Sequence, residues 1–152
     1  MAFWEIIFYL SLFVLSANST VPSAYQVLRQ YDFPVGLLPE GAVDYSLNTA
    51  TGEFSAQLNG SCHFKMENSY ELRYLPVIKG VISKGRLRKL SGVSVKVLVA
   101  WLGIVEVNRK GENLEFSVGL ASANFPARNF DECPQCGGGL ACFDLKEIIN
   151  SY

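Results

Sequence analysis

The sequence predicts a mainly β protein, a small antiparallel β-barrel preceded by a short N-terminal helix. Three observations carry that expectation. From Leu90 to Val107 the chain alternates, with Val93, Val95, Val97, Val99, Trp101, Val105 and Val107 on one face, and a period of two marks a strand with one side in a core. Shorter alternating runs recur along the chain at a spacing of about ten residues, the rhythm of sandwiches and barrels. Between the runs lie turn-forming groups such as Asn59-Gly60, Asn68-Ser69 and Lys84-Gly85, whose side chains or backbone freedom favour chain reversal.

The 152 residues allow a single domain large enough to bury a core. The apolar run Ile6 to Leu15 is too short to span a bilayer and is followed by the small residues Ala17-Asn18-Ser19. Residues 1–19 therefore read as a secretory signal peptide, leaving 20–152 as the domain. Against that reading, the leader carries Glu5 and no basic residue. Losing Glu5 reduces the acids from 14 to 13, equal to the 13 bases. So even a charge balance gives no support to nucleic-acid binding. The charge is unevenly spread, however. Between Glu71 and Glu106 there is no acid, while Arg73, Lys79, Lys84, Arg86, Arg88, Lys89 and Lys96 all fall there, which predicts one basic patch.

In chain order, Ser23 caps a helix from Ala24 to Tyr31 that places Val27, Leu28 and Tyr31 on one face, and Phe33-Pro34 ends it. Pro34 to Gly41 is turn chemistry. Alternation then gives strands through Val43, Tyr45 and Leu47, through Phe54, Ala56 and Leu58, and through Cys62, Phe64 and Met66. Asn59-Gly60 reads as the two-residue turn of a hairpin. Tyr70, Leu72 and Tyr74 form a further strand, and Val77 to Ser83 with Arg86 to Leu90 form a hairpin feeding the central one. That central hairpin has Leu90 to Val107 as one long arm, with Gly103 as a bulge or bend. Asn108 to Asn113 is its turn and Leu114 to Leu120 its second arm. In the tail, Leu145, Ile148 and Ile149 share one side of a last amphipathic turn.

The chain also carries, in order, Tyr25-Gln-Val-Leu28, Gly36-Leu-Leu-Pro-Glu-Gly41, Leu90-Ser-Gly-Val-Ser-Val-Lys-Val97, Trp101, Leu114-Glu-Phe-Ser-Val-Gly119, Ala123-Asn-Phe-Pro126 and Cys133-Pro-Gln-Cys136. With these it resembles the plant domain-of-unknown-function 538 family from Ala24 to Cys142. The resemblance implies a small β-barrel with a short N-terminal helix, often behind a signal peptide. It further implies a fold likened to the lipid-binding bactericidal/permeability-increasing type, and for some members a carboxylesterase activity on chlorophyll. Neither activity comes with a motif that maps onto particular residues here.

Chemistry could reside in four places. Cys62, Cys133, Cys136 and Cys142 read as two disulfides in a secreted chain, one of them joining Cys62 to the tail. A zinc set of Cys133, Cys136 and Cys142 completed by His63 or Cys62 and a redox Cys-Pro-Gln-Cys pair are the alternatives. His63 is the only histidine, so a Ser-His-Asp mechanism would have to use it, yet no Gly-x-Ser-x-Gly elbow occurs. Asn59-Gly-Ser61 is a glycosylation sequon. Finally, Leu98, Ala100, Trp101, Leu102 and Ile104 make the middle of the central strand apolar on both sides. They either pack as ordinary core beneath the N-terminal helix and the Leu37-Leu38 loop or line a cavity for an acyl or prenyl chain, with Lys84, Arg86, Arg88 and Lys89 at its mouth; the cavity is the functional hypothesis. The expected function is binding of a lipid or other amphipathic small molecule, with an anionic membrane surface as a possible partner and no cofactor or metal. A carboxylesterase and an apoplastic structural or carbohydrate-binding protein are the alternatives.

Overall fold

The computed structural model describes residues 22–65 and 70–136. The proposed signal peptide, Met66, Cys142 and the amphipathic turn at Leu145, Ile148 and Ile149 lie outside the described residues. The helix α1 (Ala24–Gln30) opens with a reciprocal cap. The Ser23 hydroxyl accepts from the Gln26 N–H at 3.2 Å, and the Ser23 N–H donates to Gln26 Oε1 at 2.9 Å, satisfying two donors that a helix start otherwise leaves orphaned. The helix ends before Phe33-Pro34, at Asp32, whose φ of 68° reverses the chain. The Phe33 N–H then donates to the Leu28 carbonyl at 2.9 Å and the Asp32 N–H to the Arg29 carbonyl at 3.1 Å, the paired bonds of a Schellman stop.

A short 3-10 turn, η1 (Val35–Leu37), leads into nine strands. These are β1 (Ala42–Leu47), β2 (Glu53–Leu58), β3 (Cys62–Lys65), β4 (Glu71–Ser83), β5 (Arg86–Val97), β6 (Ala100–Gly103), β7 (Glu106–Lys110), β8 (Asn113–Ser117) and β9 (Ser122–Pro126), followed by a second 3-10 turn, η2 (Ala127–Phe130). All pairings are antiparallel, in the order β1-β2-β4-β5-β7-β8-β9. The protein is thus mainly β with one short described helix, as expected, but the sheet is not closed. β1 and β9 end the ladder and do not pair with each other, and among the described residues α1 and the turns around it cover the core face.

The hairpin expected at Asn59-Gly60 does not form, and a second pair of strands shows the same arrangement. β2 and β3 do not pair with each other across Asn59-Gly60; they run in line, and both pair with β4. β6 and β7 likewise run in line along β5. The breaks at 59–61 and 104–105 flank an irregularity in the two long strands between them. There the register slips between Tyr74 and Lys79 of β4, where Pro76 cannot donate a ladder bond. Opposite it in β5 stands Gly92, with φ 92°, where an added Cβ would lie 2.4 Å from the Val77 carbonyl oxygen. The result is a crease from the β2–β3 break through β4 and β5 to the β6–β7 break. Gly103 immediately precedes one of its breaks, while the backbone kink of β5 itself falls at Lys89 and Gly92.

The predicted arm from Leu90 to Val107 is the second correction, because it contains a turn. Val97 pairs with Ala100, leaving Leu98-Val99 as a two-residue reversal with Leu98 at φ 58°. Crossing a two-residue turn inverts the parity of the alternation, so Trp101 pairs with Lys96 and stands on the face opposite Val93, Val95 and Val97. The break at 104–105 inverts it again and returns Val107 to the core, 2% exposed. On β1, a bulge between Ala42 and Asp44 leaves Val43 exposed rather than inward.

The core gathers Phe33, Leu58, Leu72, Ile78, Leu87 and Leu114 with their neighbours on one side of the sheet. Tyr74 is buried among them and donates its hydroxyl to the Leu37 carbonyl at 2.8 Å, while the Tyr25 hydroxyl donates to Pro39 at 2.8 Å. The segment after η2 crosses the Val35–Glu40 loop. Gly36 permits this, since an added Cβ would meet the Phe130 carbonyl oxygen at 2.2 Å. At Cys136 the segment is bonded to β3 through the Cys62–Cys136 disulfide, with Cα atoms 4.9 Å apart.

Candidate functional site

The crease splits the sheet on the core side. Beyond the break at 104–105, the β5–β6 hairpin continues without β8 beside it, and β8 turns back through Val118 to Ala121 into β9. Between the two hairpins opens an apolar cleft of about 220 Å³. Val95 and Val97 form one wall, Val118, Ala123 and Phe125 the other, and Leu72, Ile104 and Phe116 the floor. Aromatic edges shape the β9 side, where Phe125 meets Tyr70 at 5.3 Å and Phe116 at 5.7 Å between ring centres. A second apolar cavity, of about 90 Å³, lies between α1 and the sheet. Leu72, Ile104 and Phe116 border both spaces, so three side chains form the partition between them.

The other face of the same strands is polar. Cross-strand rows place Lys65, Glu71, Lys96 and Trp101 side by side, and beneath them His63, Arg73, Ser94 and Gly103. Glu71 accepts from His63 Nε2 at 3.1 Å and lies 3.6 Å from Lys65 Nζ and 3.9 Å from Lys96 Nζ. The His63 hydrogen bond, then the two lysines, hold the Glu71 carboxyl below its usual range. Arg73 lies over the Trp101 ring, its guanidinium carbon 4.5 Å from the ring centre, a cation–π arrangement. Trp101 also meets His63 in a T-shaped contact, with 5.6 Å between ring centres.

A family model described as "Protein of unknown function, DUF538" matches residues 24–131. The chain belongs to this family. A curated relative, an uncharacterized protein of Arabidopsis thaliana, is 23% identical over 95 residues, which are 62% of this chain and 55% of that protein. The match thus spans about half the length of that relative. The family match begins at the first residue of α1 and ends just after η2, so it takes in every described element.

The sequence-derived ligand set is only partly brought together in this family member. Ile104, 3% exposed, is in the partition between the two cavities. Leu98 instead projects from the hairpin tip, Ala100 and Leu102 are exposed, and Trp101 stands on the polar face. Lys84, Arg86, Arg88 and Lys89 cluster at the far end of β5 from the cleft, around the Lys84-Gly85 turn. Arg86 there faces Glu106 at 3.5 Å. They do not line the cleft mouth. The reason is the length of β5: the bases lie at its start, whereas Val95 and Val97 of the cleft end it. Val95 and Val118 fall in strands that the alternation predicts, whereas β9, with Phe125, carries no such signal, and nothing in the spacing of these residues marks the split that makes them line a cleft.

Among the cysteines, Cys62 and Cys136 are bonded to each other, which removes Cys62 from any zinc set. Cys133 is also disulfide-bonded, its sulfur packed 3.3 Å from the Val35 carbonyl oxygen. Asn59 is exposed on the β2–β3 turn, its N–H donating to the Gly41 carbonyl at 3.0 Å, which leaves the side chain in solvent. No helix of the described residues is long and apolar enough to cross a membrane.

Proposed function

We propose that the protein binds a lipid or another amphipathic small molecule in the cleft between the β5–β6 and β8–β9 hairpins. One observation carries the reading: an open apolar cleft backed by a second apolar cavity, with only Leu72, Ile104 and Phe116 between them. An apolar cavity of about 150 Å³ already accepts a benzene-sized guest. The cleft exceeds that, and rotamer changes in the partition would extend it towards the lower end of the roughly 300–1,000 Å³ usual for small-molecule sites. A chain-like ligand entering at Val97 and Val118 would lead its tail towards α1 and leave its polar end at the mouth. Secretion accords with the disulfides, which persist in oxidising compartments, and an exposed Asn59 accords with its glycosylation there.

Binding is favoured over hydrolysis. His63 stands on the polar face with Arg73, whereas Leu72 and Val95 face the cleft, so a bound ligand and the imidazole would be on opposite sides of the sheet. A stacking platform for sugars is also not favoured, because Arg73 occupies one face of the Trp101 ring.

The direct experiment is native mass spectrometry of protein secreted from a eukaryotic host, with organic extraction of whatever accompanies it, alongside titration with the fluorescent fatty acid cis-parinaric acid. The expected result is a bound lipid or saturable cis-parinaric acid binding that Val118→Trp, by filling the cleft, weakens roughly tenfold. An apo mass together with no saturable fluorescence would refute the reading, as would binding indifferent to Val118→Trp.

A further inference from the structure

We infer that the end of the sheet bearing the β5–β6 hairpin docks tip-first onto an anionic lipid bilayer. Leu98 and Val99 form the tip, 92% and 91% exposed. Leu98 holds φ 58°, a conformation that Gly or Asn adopts at little cost and a leucine does not. The turn therefore carries a large apolar side chain where neither packing nor turn geometry asks for one. Across the cleft mouth, the β8–β9 turn presents Leu120, also fully exposed. Two neighbouring hairpins thus offer apolar tips to the same side.

What covers such tips is indicated by the charge behind them. In the cross-strand rows adjoining the Leu98-Val99 turn, the bases are Lys65, Arg73 and Lys96, and Glu71 is the acid. Glu71 is shared between His63, Lys65 and Lys96, so the rows keep a net positive charge. Trp101 lies in the first of them, pressed under Arg73. The tip stands two residues beyond the Lys96–Trp101 pair, about 7 Å at the rise of a β-strand. Interfacial segments bury their apolar side about 5–10 Å into the boundary between headgroups and acyl chains. With Leu98 and Val99 at that depth, Trp101 lies at the level where aromatic rings favour the membrane interface and the bases at the level of lipid phosphates. An acidic protein partner would meet the bases but would gain nothing from a tip so far in front of them.

This inference goes beyond the ligand reading and does not depend on it. It is tested by co-sedimentation with vesicles of phosphatidylcholine alone and of phosphatidylcholine with phosphatidylglycerol, at low and high salt. The expected result is binding to the anionic vesicles only, weakened by salt. Leu98→Asp with Val99→Asp should reduce it by roughly tenfold or more, and Lys65→Gln, Arg73→Gln and Lys96→Gln by roughly fivefold per residue. Replacing Lys84, Arg86, Arg88 and Lys89 by Ser should change little, because these lie at the far end of β5, beyond a screening length of about 10 Å. Val118→Trp should bind vesicles like the wild type even if it loses cis-parinaric acid, which separates this surface from the cleft. Equal binding to neutral and anionic vesicles, or no loss in the tip variant, would overturn the inference. So would sedimentation velocity showing that the tip variant abolishes a dimer of a protein that ignores vesicles, since a second copy would then be the occupant.

Discussion

Leu98 is the residue at which local preference and overall arrangement disagree most. A leucine with positive φ costs about 1–2 kcal/mol relative to its favoured conformations, and its 92% exposure returns nothing from burial. Leu98→Asn should therefore stabilise the folded protein by about 1 kcal/mol, since Asn tolerates this backbone. Thermal unfolding would show a rise of roughly 2–4 °C for a domain of this size. A fall in the midpoint would mean that Leu98 packs in solution and is not the free tip described above. The same residue explains the main misreading of the sequence. Turns are legible when they carry Gly, Asn, Asp or Pro, and Val97-Leu98-Val99-Ala100 carries none of them, so the valine alternation ran visibly through a reversal. Trp101 was consequently assigned to the wrong face.

At the scale of elements, what the sequence showed well was the existence of strands, and what it hid was which strand pairs with which. Asn59-Gly60 is chemically a hairpin turn, yet it serves as a kink between in-line β2 and β3, because both find their partner in the longer β4. The cap of α1 was readable from Ser23 alone, since capping is a contact within four residues, whereas the attachment of η1 to β4 is not. That attachment is the Tyr74 hydroxyl donating to Leu37 from a buried position. Tyr74→Phe should leave the Leu37 carbonyl unpaired and cost about 1 kcal/mol in urea unfolding. Burial also raises the Tyr74 phenol above its usual value of 10.0. A group whose folded pKa is raised contributes stability that is complete below its unfolded pKa and declines as pH rises above it. The wild type should accordingly lose stability above a pH of about 10, and Tyr74→Phe should lose it less steeply there. Identical slopes for the two proteins above that pH would show that the phenol is not buried as described. Desolvation raises Tyr25 as well, so the variant keeps part of the dependence.

The described residues as a whole form an open, creased sheet whose core side is covered by the segments that flank the strands in the chain. α1 covers it from one side. From the other, η2 and the segment through Cys136 cross the Val35–Glu40 loop, where the Glu40 N–H donates to the Pro134 carbonyl at 3.0 Å. An open sheet relying on such a strap needs the strap to stay in place, and the Cys62–Cys136 bond, closing a separation of 74 residues, is what secures it at Cys136. In the chain-entropy account, a loop of that length is worth about 4 kcal/mol through restriction of the unfolded chain. Cys62 is also wholly buried at the start of β3, so its replacement disturbs packing beside Tyr74, its cross-strand partner. The double variant Cys62→Ser, Cys136→Ser should therefore lower the urea midpoint by roughly 2 M, taking a slope of about 2 kcal/mol per molar. It should also expose the Val35–Glu40 loop to hydrogen exchange before β4 and β5 open, because the strap covers that loop while the two long strands hold each other through their own ladder. A midpoint within a few tenths of a molar of the wild type, with the loop still protected, would mean that contacts such as Gly36 against Phe130 close the core without the covalent link.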